Sequence, residues 1–357
     1  MHRRLLILLC GTLALLGACA GPDGVRGRLH YGMGDAPEGS QLMWPAAPEV
    51  PRFLYTGTLT GEQNFRGDGD GASVMSRLGR FIAGLDGRVD DPLVLQRPAT
   101  LVGDDEGRLY VADTSRQAIF VFDEKAGELL LWDQADGARR FVAPAGLAVA
   151  PGRLFVADAE LGAVFVLDRQ GAPLARFGGG LLKRPTGLAR DPVLGRLYVA
   201  DTYAHDIKVF SDAGELLQTI GRRGEGDGEF NFPTHLAWAQ GELYVTDTLN
   251  NRIQVFGSDG QLLQRKFGAR GLYVGNLVRP KGVGVDGEGN VYVVESYYDS
   301  LLVFSPRGEL LLPIGGTGTA TGRFYLPAGL WVDGRNRVHV ADMFNGRVVL
   351  FQFLGGG

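Results

Sequence analysis

Polar and apolar positions alternate along the chain in short runs, and the runs repeat. From Leu243 to Phe256 the sequence reads "LYVTDTLNNRIQVF". Its ends are rich in β-branched and aromatic residues, and its centre carries Asp247, Asn250 and Asn251. That pattern predicts two short strands joined by a tight hairpin. Five further stretches follow the same plan: "LYVADTSRQAIFVF" from Leu109, "LFVADAELGAVFVL" from Leu154, "LYVADTYAHDIKVF" from Leu197, "VYVVESYYDSLLVF" from Val291 and "VHVADMFNGRVVLF" from Val338. An acid closes the first strand of each, at Asp113, Asp158, Asp201, Asp247, Glu295 and Asp342, with intervals of 45, 43, 46, 48 and 47 residues. A proline opens every unit: Pro98, Pro144, Pro185, Pro233, Pro280 and Pro327. An apolar strand follows it, then the hairpin, then a turn and a last strand such as "ELLQTIG" from Glu215. Four strands at a period in the forties predict a ring of small sheets, each too short to stand alone and stable only when stacked on its neighbours.

The Pro-x-Gly-[Leu/Val] openings, the "YVAD" strands and the "DTLNNRIQVF" hairpin resemble those of NHL-repeat proteins, over about residues 98–353. The resemblance implies an all-β fold, a six-bladed β-propeller. It does not fix an activity, because this scaffold hosts lyases, lactonase-like enzymes and pure binding modules. The sixth unit ends at Phe353 one strand short, which would leave a sheet edge open. "RFLYTGTLTG", Arg52 to Gly61, has strand composition and no hairpin partner nearby, so it is expected to pair with "RVVLFQF" and close the ring. Residues 62–97 then form an insertion. Within it "SVMSRLGRFIAGL" spaces Val74, Leu78, Phe81, Ile82 and Leu85 on one helical face, predicting one short helix that serves as a lid or a docking element.

The N-terminus supplies an address. Arg3 and Arg4 precede an apolar run from Leu5 to Leu16, which reads as a signal peptide and is too short for a membrane span. Leu16-Gly17-Ala18-Cys19 resembles the lipobox of bacterial lipoproteins. That resemblance implies cleavage before Cys19 and lipidation of its thiol, and Ala20 in place of Asp favours the outer membrane of a diderm cell. The expected organisation is a signal peptide over 1–18, a lipidated cysteine and flexible tether over 19–52, and the propeller over 53–357. The second cysteine, Cys10, leaves with the signal, so no thiol remains for chemistry in the domain.

Composition changes the picture little. The chain is 45% hydrophobic and 21% charged with 55 glycines, as a turn-rich globular protein requires. A formal net charge of −4, about −6 once Arg3 and Arg4 are lost, gives no reason to expect nucleic-acid binding. The distribution matters more. The loops leading into the inner strands carry Arg97, Arg139, Arg140, Lys183, Arg184, Arg222, Arg223, Arg270, Arg279, Lys281 and Arg323. Those at the other end carry Asp104, Asp105, Glu106, Asp123, Glu124, Asp168, Asp191, Asp212, Asp259, Asp286, Glu288 and Asp333. One face is expected to be basic and the other acidic, unless the arginines are spent on the hairpin acids.

An acid repeated in every unit cannot be a single catalytic residue. It is expected to accept backbone N–H groups of its own turn. Departures from the repeat are better candidates. Glu295 replaces Asp. His235 stands where four other units have Gly146, Gly187, Gly282 and Gly329, and Lys281 is the only charged residue just after an opening proline. The second residue past the acid is aromatic at Tyr203, Tyr297 and Phe344, and His205 lies beside Tyr203. These seven are expected to form a shallow aromatic and cationic cup around the axis on the lead-in face, or else to pack against the loops. The expected function is that of a lipid-anchored envelope module, cofactor-free and non-catalytic, binding an envelope protein or glycan of anionic character. The alternative is a metal-dependent hydrolase or lyase in the axial cup. Amidating lyases on this fold gather histidines around zinc, and His205, His235 and Glu295 are the available ligands here.

Overall fold

In the computed structural model, which describes residues 24–35, 41–66, 92–271 and 273–355, the six repeat units form six antiparallel sheets. The fourth blade shows the plan: Pro233–Ala239 innermost, then Glu242–Asp247, Arg252–Gly257 and, outermost, Leu262–Phe267. The other inner strands are Pro98–Gly103, Pro144–Ala150, Pro185–Asp191, Pro280–Val285 and Leu330–Val332. Each packs against the next around a central axis, and Leu330–Val332 meets Pro98–Gly103 to complete the circle.

The burial pattern follows from this stacking. Middle strands are covered on both faces by neighbouring blades, so Ala118–Asp123 and Val291–Glu295 are buried throughout. The outermost strand of the second blade, Pro173–Phe177, is almost wholly exposed. Between the third and fourth blades, Tyr198, Ile207 and Val209 pack with Leu236, Leu243 and Phe256. Such contacts replace a single globular core with six seams, and burial of this apolar surface drives folding.

The expected closure is observed. Phe53–Leu59 pairs antiparallel with Arg347–Phe353, with Phe53 opposite Phe353 and Leu59 opposite Val348. Phe53 meets Tyr292 edge-on at 6.0 Å and Phe353 at 5.1 Å.

One expectation needs adjustment. Residues 24–35 and 41–52, expected as a flexible tether, wrap the rim. Gly24–Arg26 adds a fifth strand to the outer edge of the first blade, Arg28–Leu29 pairs with Phe65–Arg66, and Met43–Trp44 adds a fifth strand beyond Phe53–Leu59. Val25, Leu29, Tyr31, Leu42 and Trp44 pack onto the blades and hold these segments. The helix expected over Val74 to Leu85 lies outside the described residues. Among the described residues there is no α-helix, and so none long and apolar enough to cross a membrane.

Candidate binding face

The hairpin acids are fully buried and join each turn to the loop that leads into the same blade. Asp158 accepts the N–H groups of Val142 (2.7 Å), Ala143 (3.0 Å), Glu160 (3.1 Å) and Leu161 (3.0 Å). Asp113 does the same with Gln96, Arg97, Ser115 and Arg116. In the fourth and sixth blades side chains replace part of that set: Arg252 Nε donates to Asp247 and Arg347 Nε to Asp342, both at 2.8 Å. Glu295, one methylene longer, reaches the N–H groups of Val278 (2.8 Å), Arg279 (2.9 Å) and Tyr297 (3.0 Å). Burial pushes the carboxyls of Asp247, Glu295 and Asp342 up, and these hydrogen bonds pull them back. Glu295 therefore belongs to the framework and not to a cup.

Four residues past each acid the backbone turns left-handed, at Gln117, Gly162, His205, Asn251, Asp299 and Gly346, with φ between 51° and 61°. Side chains at this place reach forward to the next blade. His205 Nδ1 accepts the Phe232 N–H at 3.2 Å and Asp299 accepts the Leu326 N–H at 2.7 Å. Asn251 donates to the Val278 carbonyl at 2.7 Å and Gln117 to the Val142 carbonyl at 3.1 Å. His205 is buried, and its ring meets that of Phe232 edge-on with centroids 4.6 Å apart. It is a blade-to-blade latch, another correction to the expected cup.

Around the axis the inner strands crowd at their third residue. A Cβ on Gly146 would lie 1.8 Å from the Thr186 carbonyl oxygen, and one on Gly329 would lie 2.6 Å from that of Ala99. Glycine stands there because the backbones nearly touch. Thr100 and His235 hold the same place in the first and fourth blades, which face each other across the ring. His235 Nδ1 lies 3.1 Å from Thr234 Oγ1. Burial, then the nearby charge of Lys281, pushes its imidazole down to about 3, against a weaker upward pull from the Ala99 backbone. The ring is therefore neutral.

His235 faces an axial cavity of about 310 Å³ that is lined from Thr100 and Gly187 outward to Arg190, Trp238, Val285 and Val332. The cavity thus runs away from the lead-in loops and toward the opposite face, with His235 among the lining residues nearest the lead-in side. Lys281 is half-buried, and burial followed by the Arg279 charge lowers its amine. The seven expected residues separate into three places: His235 and Lys281 near the axis, His205 and Glu295 in the framework, and Tyr203, Tyr297 and Phe344 at the surface. Among the described residues, no group of three or more His, Cys, Asp and Glu side chains is placed to hold a metal ion.

The surface set is larger than the sequence suggested. Tyr203, Tyr297 and Phe344 are exposed on hairpin tips, and Leu249 holds the same place in the fourth blade. Tyr273 and Tyr325 are exposed on lead-in loops. Tyr203, Tyr273, Tyr297, Tyr325 and Phe344 are all the exposed aromatic side chains among the described residues, and every one is on the lead-in face. Tyr273 had a readable signal. The loops leading into the last three blades share one fold, marked by the bridges Arg223–Phe230, Arg270–Leu277 and Thr317–Phe324. Two of them carry polar tips, Glu225-Gly226-Asp227 and Thr319-Ala320-Thr321, whereas the third carries Tyr273 and Val274, 84% and 72% exposed.

Charge reinforces this face. Arg184 lies over the Tyr203 ring at 5.1 Å and Arg97 over Phe344 at 5.0 Å. Arg139, Arg140, Arg184 and Arg222 pair with loop acids. Lys183, Arg223, Arg270 and Arg279 are exposed and make no salt bridge among the described residues. At the other end, Asp123, Asp212 and Asp333 are neutralised by Arg108, Arg190 and Arg337, and Asp168 and Asp286 cap turns.

The DUF5128 family, described as a 6-bladed β-propeller, matches residues 191–266. No curated protein sequence matches the chain. Among solved structures, it is similar to an auxiliary nutrient binding protein from Bacteroides thetaiotaomicron, at 13% identity and a TM-score of 0.59, over 74% of this chain and 71% of that one. It is also similar to virginiamycin B lyase from Staphylococcus aureus, at 13% identity and a TM-score of 0.51, over 72% and 96% of the two chains. A luciferin-regenerating enzyme aligns at 15% identity and a TM-score of 0.55, over 73% and 92%. At these identities the likeness establishes the fold: the chain is an all-β six-bladed propeller, similar in architecture to binding proteins and to enzymes.

Proposed function

We propose that this propeller is a lipid-anchored module of the bacterial cell envelope, of the NHL-repeat type, which binds through its lead-in face and does not catalyse. One observation carries the reading: among the described residues every exposed aromatic side chain falls on the lead-in face, beside the exposed cations Lys183, Arg223, Arg270 and Arg279. Aromatic and arginine side chains supply contact area at low entropic cost, and cations attract an anionic partner over distance. The lipobox-like Leu16-Gly17-Ala18-Cys19 supplies the anchor. The resemblance to a nutrient binding protein is compatible with a binding role. The hydrolase or lyase alternative has less support, because His205 and Glu295 are committed to backbone hydrogen bonds.

The test compares two double variants for capture of components from envelope extract. Tyr203→Ala with Tyr297→Ala is expected to weaken capture at least tenfold, about 1.4 kcal/mol, with the melting temperature unchanged. Val193→Ser with Leu194→Ser, exposed on the opposite face, is expected to leave capture intact. The reverse result would place the binding surface at the other end of the axis.

A further inference from the structure

We infer that the occupant of the lead-in face is the anionic lipid surface to which the chain is tethered, so that the propeller stands on the membrane with its axis upright. The inference rests on the lipid-anchor reading above and names the partner of that same face.

The direction of the first rim strand carries the argument. Gly24 lies opposite Leu130 and Arg26 opposite Glu128. The outer strand Glu128–Trp132 runs toward the lead-in loop at 133–143, so the antiparallel Gly24–Arg26, followed backward, heads for the lead-in face. Four residues, 20–23, separate Gly24 from Cys19. A fully extended chain of that length reaches at most about 18 Å. The anchor point is therefore held close to the lead-in face, at the edge of the first blade, and a lipid on Cys19 brings that face to the bilayer.

The chemistry of the face matches such a surface. Tyrosine is enriched where headgroups meet acyl chains, since its ring is apolar and its hydroxyl stays wet. Tyr273 and Val274 form the one apolar tip among three otherwise alike loops. Arg270 and Arg279 flank that tip on the same loop and Arg223 lies on the preceding one, exposed and without salt bridges among the described residues. Basic residues near a membrane are drawn to anionic headgroups within a Debye length. A lipid chain gives only marginal attachment by itself, and a cationic patch is a second signal that makes it stable. The opposite face offers no exposed aromatic side chain among the described residues. Docking would leave the axial cavity, with Trp238 and Arg190 toward its mouth, open on the side away from the membrane.

Two measurements test this. In the first, the full chain with Cys19→Ser, which carries no lipid, is floated with vesicles of phosphatidylglycerol and phosphatidylethanolamine, and with vesicles of phosphatidylcholine. It is expected to float with the anionic vesicles, less at high salt, and not with the neutral ones. Arg270→Glu with Arg279→Glu, and Tyr273→Ala with Val274→Ser, are each expected to weaken flotation at least tenfold, while Val193→Ser with Leu194→Ser has no effect. In the second, lipidated protein in the same anionic vesicles is labelled with a fluorophore at position 273 (Tyr273→Cys) or 193 (Val193→Cys). A lipid-borne quencher is expected to reach the label at 273 and not the one at 193. Absence of flotation with anionic vesicles, equal flotation with neutral ones, or quenching confined to position 193 would overturn the proposal. Loss of both vesicle signals with Tyr203 and Tyr297 still needed for capture from envelope extract would leave the binding reading standing with a different partner.

Discussion

Replacing Asp247 by alanine tests what the repeated acid does. Its Oδ1 accepts the Asn231 N–H at 2.7 Å. Its Oδ2 accepts Asn250 Nδ2 at 2.9 Å, Arg252 Nε at 2.8 Å and Gln254 Nε2 at 3.1 Å. Truncation orphans one backbone donor at about 1–3 kcal/mol and strips a largely buried guanidinium of its counter-charge at about 3–5 kcal/mol. Two effects reduce the sum. Arg252 keeps the carbonyls of Gly226 and Glu229, and burial already works against the charged form of Asp247. The expected loss is about 3–5 kcal/mol. At ~2.1 cal/mol/K per residue over the roughly 300 described residues, that lowers the melting temperature by about 5–8 °C in calorimetry. Asp247→Ala with Arg252→Leu should recover part of the loss, because removing both partners leaves no buried charge. A single variant that melts like the parent but no longer captures its partner would refute the framework role and make the acid a binding residue.

Ring closure predicts that Phe53→Ala, which empties a site 2% exposed between Tyr292 and Phe353, costs about 3–5 kcal/mol in urea unfolding. An unfolding midpoint unchanged from the parent would mean that the N-terminal strand does not hold the ring shut. His235 predicts acid sensitivity. With its folded value near 3 and its unfolded value near 6.5, the unfolded state takes up the proton first as pH falls. Its contribution is complete above about pH 6.5 and erodes toward pH 3, by about 2 kcal/mol at pH 5. His235→Gln should lack this slope, and parallel stability curves for parent and variant between pH 7.5 and 5 would refute it.

The fold was legible because one grammar was written six times. Each unit showed the opening proline, the buried middle strands and the acid at the end of the second strand, so errors in any one unit were corrected by the others. The closing strand was legible for a related reason: the sixth unit lacked a part, and Phe53–Leu59 was the spare. The rim strands were not. Gly24–Arg26 and Met43–Trp44 are three and two residues long, shorter than the smallest run in which an alternation can be seen. Their partners, Glu128–Trp132 and Phe53–Leu59, give no sequence sign of being covered.

The site was legible only in part, and the reason is physical. Departures from a repeat mark positions where the environment differs, but they do not say whether the side chain points into the protein or out of it. His205 departs from Gly and Asn at a left-handed position whose job is to reach the next blade, and an imidazole nitrogen does that as well as an amide or a carboxylate. His235 departs from glycine where two inner strands nearly touch, so its ring is forced toward the axis and loses its charge. Both changes are absorbed by the framework. Tyr203, Tyr297 and Phe344 depart from the repeat at hairpin tips that stay about half exposed, although Phe232 and Arg97 of neighbouring blades touch Tyr203 and Phe344, and Tyr273 departs at a loop tip that is far more exposed. A ring as exposed as Tyr273, at 84%, contributes little to the packing of its own blade, so its presence calls for something outside the fold. Exposure therefore separates the functional deviations from the structural ones, and it is set by how blades stack, a property of the assembled ring that no single repeat unit encodes.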